Sequence, residues 1–228
     1  MKTRSPLKKI ESESLVKRDA SIIGSTKTGN LFVFTGPSGV GKGTIVKELL
    51  STIPGLVKSV SVTTRGQRVG EQDGVHYFFR DFEQFEGMRA RNELMEWAEF
   101  AGCFYGTPRQ WVMQQLAAGL DVLLEIEVQG AKQILQRFPH AILVFISPPS
   151  FEALRERLVG RNTETSEKIA MRLTKARQEM REKYLFHYEV VNDNIAEAVL
   201  NLAHIVYAER CRIHTTLVTQ QNEHDENP

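Results

Sequence analysis

The chain is short of cysteine, of long apolar runs and of charge imbalance, and each shortage closes off a class of function. Two cysteines in 228 residues, Cys103 and Cys211, cannot build a disulfide framework, and neither sits in a C-x-x-C metal-ligand spacing. A reducing, intracellular setting is therefore expected, with a cytoplasmic location. The longest apolar runs, such as AILVFI at 141–146, fall far short of the roughly 18 to 20 residues needed to cross a bilayer. No membrane span is expected. Net charge is +1, from 29 basic and 28 acidic residues, so the basic excess that drives general nucleic-acid or anionic-membrane binding is missing. Any anion must be held by local clusters.

The first 29 residues mix Lys, Arg, Ser and acids without the apolar segment of about 7 to 15 residues that a secretory signal carries. They read as a disordered tail, and Glu11, Glu13 and Asp19 count against an organelle transit peptide. The polar residues 219–228 are likewise expected to fray.

What is present suffices for one sizeable core, since 41% of residues are apolar and 25% charged. Short apolar runs, LFVF at 31–34, VLLEI at 122–126 and AILVFI at 141–146, alternate with amphipathic stretches. That alternation predicts an α/β fold with a parallel sheet flanked by helices. Residues 59–108, rich in Thr, Arg and Gly, read as an insertion carrying short strands and as a candidate substrate-binding lobe. From Ser150 the pattern predicts two helices joined by a polar turn, with Thr165 or Ser166 capping the second. Arg155, Arg157, Arg161, Arg172, Arg177 and Arg181 concentrate here. No internal repeat is found.

The run FVFTGPSGVGKGTIVKELL carries the chemistry. Gly36, Pro37, Ser38, Gly39, Val40, Gly41, Lys42, Gly43 and Thr44 give G-x-x-x-x-G-K between a strand-like run and a helical one, the context in which backbone N–H groups and a helix N-terminus cradle phosphates. Lys42 is placed to reach the β- and γ-phosphates. After the lysine stands Gly43, where a Mg²⁺-ligating hydroxyl is usual, and the hydroxyl arrives one position later as Thr44. Mg²⁺ keeps several waters and favours phosphate oxygens, so this shift does not remove a metal site. With period-two alternation, Glu125 and Glu127 face the same way at the end of a strand, where open α/β sheets bind ligands.

Phosphoryl transfer calls for positioning and charge neutralisation more than covalent chemistry. Arg65 and Arg68 lie three apart in the inserted segment, and Arg157 and Arg161 lie at i and i+4, with Arg172 beyond the turn. No serine–histidine pair or obvious general base is apparent. A phosphomonoester acceptor needs none, because its second pKa lies near 6 and it is already a dianion at neutral pH.

On these motifs, GPSGVGKGT, SVSVTTRGQRVGEQDGVHYFF, EWAEFAGCFYGTP, LEIEVQGA, RLVGRNTETSEKIAMRL and VVNDN, the chain resembles the guanylate kinases from about residue 30 to 212. The resemblance implies a P-loop NTPase three-layer fold with a core (30–58, 109–149 and 176–218), a GMP-binding lobe (59–108) and a helical lid (150–175). It also implies ATP and GMP as substrates with Mg²⁺ as cofactor. By position, Arg65, Arg68, Tyr77 and Tyr105 would bind the GMP phosphate, and Ser61, Glu96, Thr107 and Glu127 would face guanine. Lys42, Arg157, Arg161 and Arg172 would bind ATP phosphates or the transferred group. Thr44 and Glu125 would serve the metal, and Asn192 would lie on the adenine side. Where many family members have LDID this chain has Leu124-Glu125-Ile126-Glu127, each glutamate adding a methylene.

Guanine presents N1–H and a 2-amino group beside O6, so a carboxylate at Glu96 can accept from both donors while a hydroxyl from Ser61 serves O6. Two rival readings stand beside a GMP kinase. One is a non-catalytic binding module of the same fold; the other is a kinase for a different monophosphate. The apolar positions between Ile195 and Ile213 leave two readings open, core or the surface of a homodimer.

Overall fold

The computed structural model describes residues 28–160 and 166–213. The two tails, Arg161 and the proposed cap at Thr165 lie outside the described residues. In chain order the elements are β1 (Leu31–Thr35), α1 (Lys42–Thr52), β2 (Leu56–Lys58), β3 (Val62–Thr63), β4 (Phe78–Phe79), α2 (Phe82–Ala90), β5 (Leu94–Phe100) and β6 (Cys103–Pro108). There follow α3 (Arg109–Ala117), β7 (Asp121–Glu125), α4 (Val128–Arg137), β8 (Ile142–Ser147), α5 (Phe151–Val159), α6 (Ser166–Arg181), β9 (Tyr188–Val191) and α7 (Ile195–Cys211).

Five strands pair in the order β2-β7-β1-β8-β9, every pair parallel. The three apolar runs seen in the sequence are its three central strands, and β1 and β8 are buried along their whole length. Parallel strands need crossover helices, which cover both faces and demand apolar side chains on each. Alternation along β1 shows this directly. Phe32 and Phe34 pack with Ile45 and Leu49 of α1 and Leu202 and Val206 of α7, while Leu31 and Val33 pack with Val112 of α3 and Ala131 and Ile134 of α4. The result is the three-layer arrangement expected. Buried Asp121 ties the layers together, accepting from Asn30 N at 2.7 Å and from Arg210 Nε of α7 at 2.7 Å.

The inserted segment forms a second sheet, order β4-β3-β6-β5, with β4 parallel to β3 and the other pairs antiparallel. It is more than short strands. The helix α2 packs on it, started by a capping box between Asp81 and Gln84, and β5 runs for seven residues. Its own core is small: buried Val62, Phe85 and Leu94, with Phe78, Trp97 and Phe104 around them.

The later helices add detail to the expected pattern. The helix α6 runs unbroken from Ser166 to Arg181, with Ser166 as its first residue. The helix α5 ends at Val159 with Arg157 in its last turn, and the expected pairing of Arg157 with Arg161 lies outside the described residues. Along α7 the stripe Ala198, Leu202, Val206 is core, whereas Ile195, Leu200 and Tyr207 are exposed. Among the described residues no helix is long and apolar enough to cross a membrane.

Candidate active site

The phosphate loop joins the end of β1 to the start of α1 at Lys42. Two glycines are required by geometry. A Cβ on Gly36 would stand 2.2 Å from the carbonyl oxygen of Ile146 on β8, and Gly41 has φ 97° in the left-handed region. Gly41 is also the N-cap of α1, and no side chain caps it. The helix therefore begins with backbone N–H groups available to an anion. Lys42 Nζ donates to the carbonyls of Gly36 and Pro37, curling over the loop. Burial lowers its pKa, opposed by the charges of Glu127 and Glu125. From the far side Asn192 Nδ2 donates to Val40 O at 2.6 Å, and Arg157 Nη1 donates to Asn192 O at 3.0 Å. Both expected nucleotide ligands are thus set against the loop backbone.

The two acids at the end of β7 and just beyond it, Glu125 and Glu127, occupy different structural positions. Glu125 is the last residue of the strand, but Glu127 is the N-cap of α4, so the alternation expected to carry both stops between them. They still reach one cleft. Glu125 pairs with Lys58 at 2.5 Å and Glu127 with Lys175 of α6 at 2.8 Å. Burial works to raise the Glu127 pKa, but its bond and attraction to Lys175, with help from Lys42, hold it below the usual value. Glu179, one turn beyond Lys175 and 3.6 Å from it, is buried and pushed up to about 7, first by burial and then by the neighbouring Glu127 charge.

The cleft, of about 430 Å³, brings Lys42, Glu125 and Glu127 from the core together with Ser61, Tyr77, Glu96 and Tyr105 from the inserted segment. Glu96, on β5, is 2% exposed. Its Oε1 accepts from the Thr107 hydroxyl at 2.6 Å, which joins these two expected purine ligands. Burial drives the Glu96 pKa up to about 7, the Thr107 bond opposing and the Glu127 charge adding to the rise. Tyr77, raised chiefly by burial, stacks edge-on to Tyr105 with centroids 6.0 Å apart.

Arg65 lies beside this wall, 5.4 Å from the Tyr77 ring, with Nη2 on Glu71 Oε1 at 2.7 Å. The other oxygen of Glu71 accepts from the backbone N–H of Arg68 at 2.8 Å. A neighbouring cleft of about 600 Å³ is lined by Arg65, Arg68 and Tyr105 on one side and by Arg172 and Lys175 of α6 on the other. Arginines separated by over a hundred residues of chain thus face one space.

Glu71, Lys175 and Glu179 were not singled out in the sequence. Faint signals existed: Glu71 stands three residues after Arg68, and Lys175 and Glu179 are an i, i+4 pair. Such spacings are common on solvated faces, and their meaning here comes from partners in other elements.

A glycine-rich loop at the carboxyl end of a central parallel strand, crowned by a half-buried lysine and faced by a second sheet, defines a P-loop α/β protein that handles phosphorylated ligands. Comparison with known proteins sharpens this. Residues 28–209 match the family model for guanylate kinase. The chain is 49% identical over 185 residues to a guanylate kinase of Desulfitobacterium hafniense (strain Y51), covering 81% of this chain and 92% of that one. It is 51% identical over 179 residues to a guanylate kinase of Synechococcus sp. (strain JA-3-3Ab), covering 78% and 82%. The crystal structure of guanylate kinase from Anaplasma phagocytophilum superposes with a TM-score of 0.69 at 34% identity, covering 82% of this chain and 88% of that one. The chain belongs to the guanylate kinase family.

Proposed function

We propose that this protein transfers the γ-phosphate of Mg·ATP to GMP, giving ADP and GDP. The observation that carries the reading is the shared cleft: a phosphate-loop lysine and a buried carboxylate suited to guanine line the same space. In this reading residues 59–108 are the GMP-binding lobe, 150–175 the lid and the rest of the described chain the core.

ATP phosphates lie on the N-terminal N–H groups of α1 with Lys42 along the β,γ-oxygens, and Arg157 with Asn192 braces the loop that holds them. The GMP phosphate is taken by Arg65, Arg68, Tyr77 and Tyr105, while Arg172, reaching from α6, completes the positive field around the transferred group. Glu96 accepts the N1–H and 2-amino protons of guanine, Ser61 serves O6, and Thr107 orients the carboxylate. Adenine presents a lone pair at N1 to that carboxylate and leaves a charged acceptor unpaired, at a cost of about 1.5 to 3 kcal/mol per lost bond.

The residues present fit a magnesium ion. Glu125 Oε1 stands 3.8 Å from where a Cβ on Gly43 would be, so the space vacated by the usual hydroxyl is faced by a carboxylate oxygen. Thr44, exposed in the first turn of α1, adds a second hard oxygen donor. The ion would be held by these two residues, through water where needed, and by phosphate oxygens, supplying charge neutralisation.

A coupled ADP-release assay over GMP, AMP, CMP, UMP and dTMP tests the reading. Turnover strongest with GMP supports it; turnover with another monophosphate instead, or with none while nucleotide or protein ligands still bind, replaces it with one of its rivals.

A further inference from the structure

Glu96 lies on an edge strand, and edge strands leave one row of backbone N–H and C=O groups without a neighbour. In β5 this row is answered by a helix. Gln133 of α4 uses both ends of its amide on one residue, Nε2 donating to Trp97 O at 2.6 Å and Oε1 accepting from Trp97 N at 3.3 Å. One turn on, Arg137 Nη1 donates to Met95 O at 3.1 Å. One turn back, Gly130 lies directly against Glu96: a Cβ there would stand 2.1 Å from Oε2 and 2.9 Å from the carboxylate carbon.

Positions 130, 133 and 137 share a helical face and grip 96, 97 and 95. They do so where β5 needs support, because its register with β6 shifts between Leu94 and Trp97. A glycine inside a helix is otherwise a liability, so its presence where a side chain would strike the Glu96 carboxylate calls for a reason. Thr107 secures one carboxylate oxygen, and the bare helix backbone at Gly130 bounds the other.

We propose that Gly130 and Gln133 are positioning residues for base selection, α4 acting as a template that sets the depth and direction of the Glu96 carboxylate. The idea rests on the reading of Glu96 as the guanine acceptor. It extends that reading by assigning selectivity to a helix of the core, so the purine wall is aligned from the phosphate side of the molecule: the N-cap of α4, Glu127, lines the same cleft.

The test is a double-mutant cycle. Gly130→Ala and Gln133→Ala are each made in the wild type and in Glu96→Gln, and KM for GMP, KM for ATP and the melting temperature are measured for all. Gly130→Ala is expected to raise KM for GMP by at least about tenfold and Gln133→Ala by about three- to tenfold, with KM for ATP within twofold. In the Glu96→Gln background both penalties shrink below about twofold, because the group they position has already lost its function. Equal penalties in both backgrounds, or matching rises in the KM of both substrates, overturn the proposal and leave the guanine reading intact. An unchanged KM for GMP in Glu96→Gln alone instead sinks that reading. Should Gly130→Ala fail to fold, the Gln133→Ala cycle decides by itself.

Discussion

The two sheets solve opposite problems. In the proposed reading the core sheet holds its ligand with backbone: a parallel sheet whose strands β1 and β8 are buried along their whole length delivers a glycine loop and a helix N-terminus. The second sheet has a small apolar centre, and in the same reading it and its loops recognise with side chains, two of them held by a polar partner: Thr107 on Glu96, Glu71 on Arg65. A phosphate is the same on every nucleotide and can be met by repeating backbone chemistry. A base must be told from its rivals, which takes individually placed donors and acceptors. The smaller sheet takes part of its order from α4, whose Gln133 and Arg137 bond the backbone of β5.

If that division of labour holds, mutations should separate the two sheets kinetically. The largest effect belongs to the core: Lys42→Met should lower kcat by about 10³ or more, since a charge aimed at the transferred group is lost, while the melting temperature moves little. Steady-state ADP release and a thermal melt on one preparation check both. Turnover within tenfold of wild type would remove Lys42 from the chemistry.

Next comes the second sheet. Glu96→Gln should lower kcat/KM for GMP by about 10² to 10³, roughly 3 to 4 kcal/mol, and leave KM for ATP almost unchanged, because one acceptor becomes a donor facing a donor. Activity with AMP should fall less. A parallel loss with both monophosphates would show that Glu96 does not read the base.

A smaller effect should come from the bridge between regions. Lys175 of α6 pairs with Glu127, the N-cap of α4, and lies 3.9 Å from the Phe100 ring centroid on β5, so it touches three elements together. Lys175→Met should reduce kcat by about three- to tenfold and speed amide exchange along α6. Exchange identical to wild type would mean the contact does not hold the helix down.

The smallest effect is a stability slope with pH. Glu96 and Glu179 are both raised from 4.5 to about 7 in the folded protein. The native state therefore binds more protons than the unfolded chain between those values. Their contribution to stability is fully present below pH 4.5 and is lost as pH rises through 7, by at most about 1.4 kcal/mol per unit for each group. Glu96→Gln or Glu179→Gln should flatten the fall in melting temperature over that window. A slope unchanged in both variants would contradict the assignment.

Much of the core was readable in advance because its signals are local. LFVF, VLLEI and AILVFI are the three central strands, and the phosphate loop lies between the strand and helix that its spacing demanded. The outer strands β2 and β9, three and four residues long, were missed, since so short a run carries no period of its own. Glu127 was placed on a strand because alternation cannot reveal where a helix will start. The site residues were readable as residue types at family positions, but their partners were not.

What the sequence determined by itself was whatever depends on neighbours along the chain: the α/β alternation, the phosphate loop with its required glycines, and the arginine-rich segments. The tertiary structure alone decided that Glu96 is buried rather than an exposed strand-edge acid, that Glu71 holds Arg65, and that Lys175 ties α6 to Glu127. It also decided that Gly130 lies flush against the carboxylate. The physical reason is that desolvation and ion pairing depend on which surfaces meet after the chain has folded, and residues 96 and 130 meet only because α4 packs along the edge of β5.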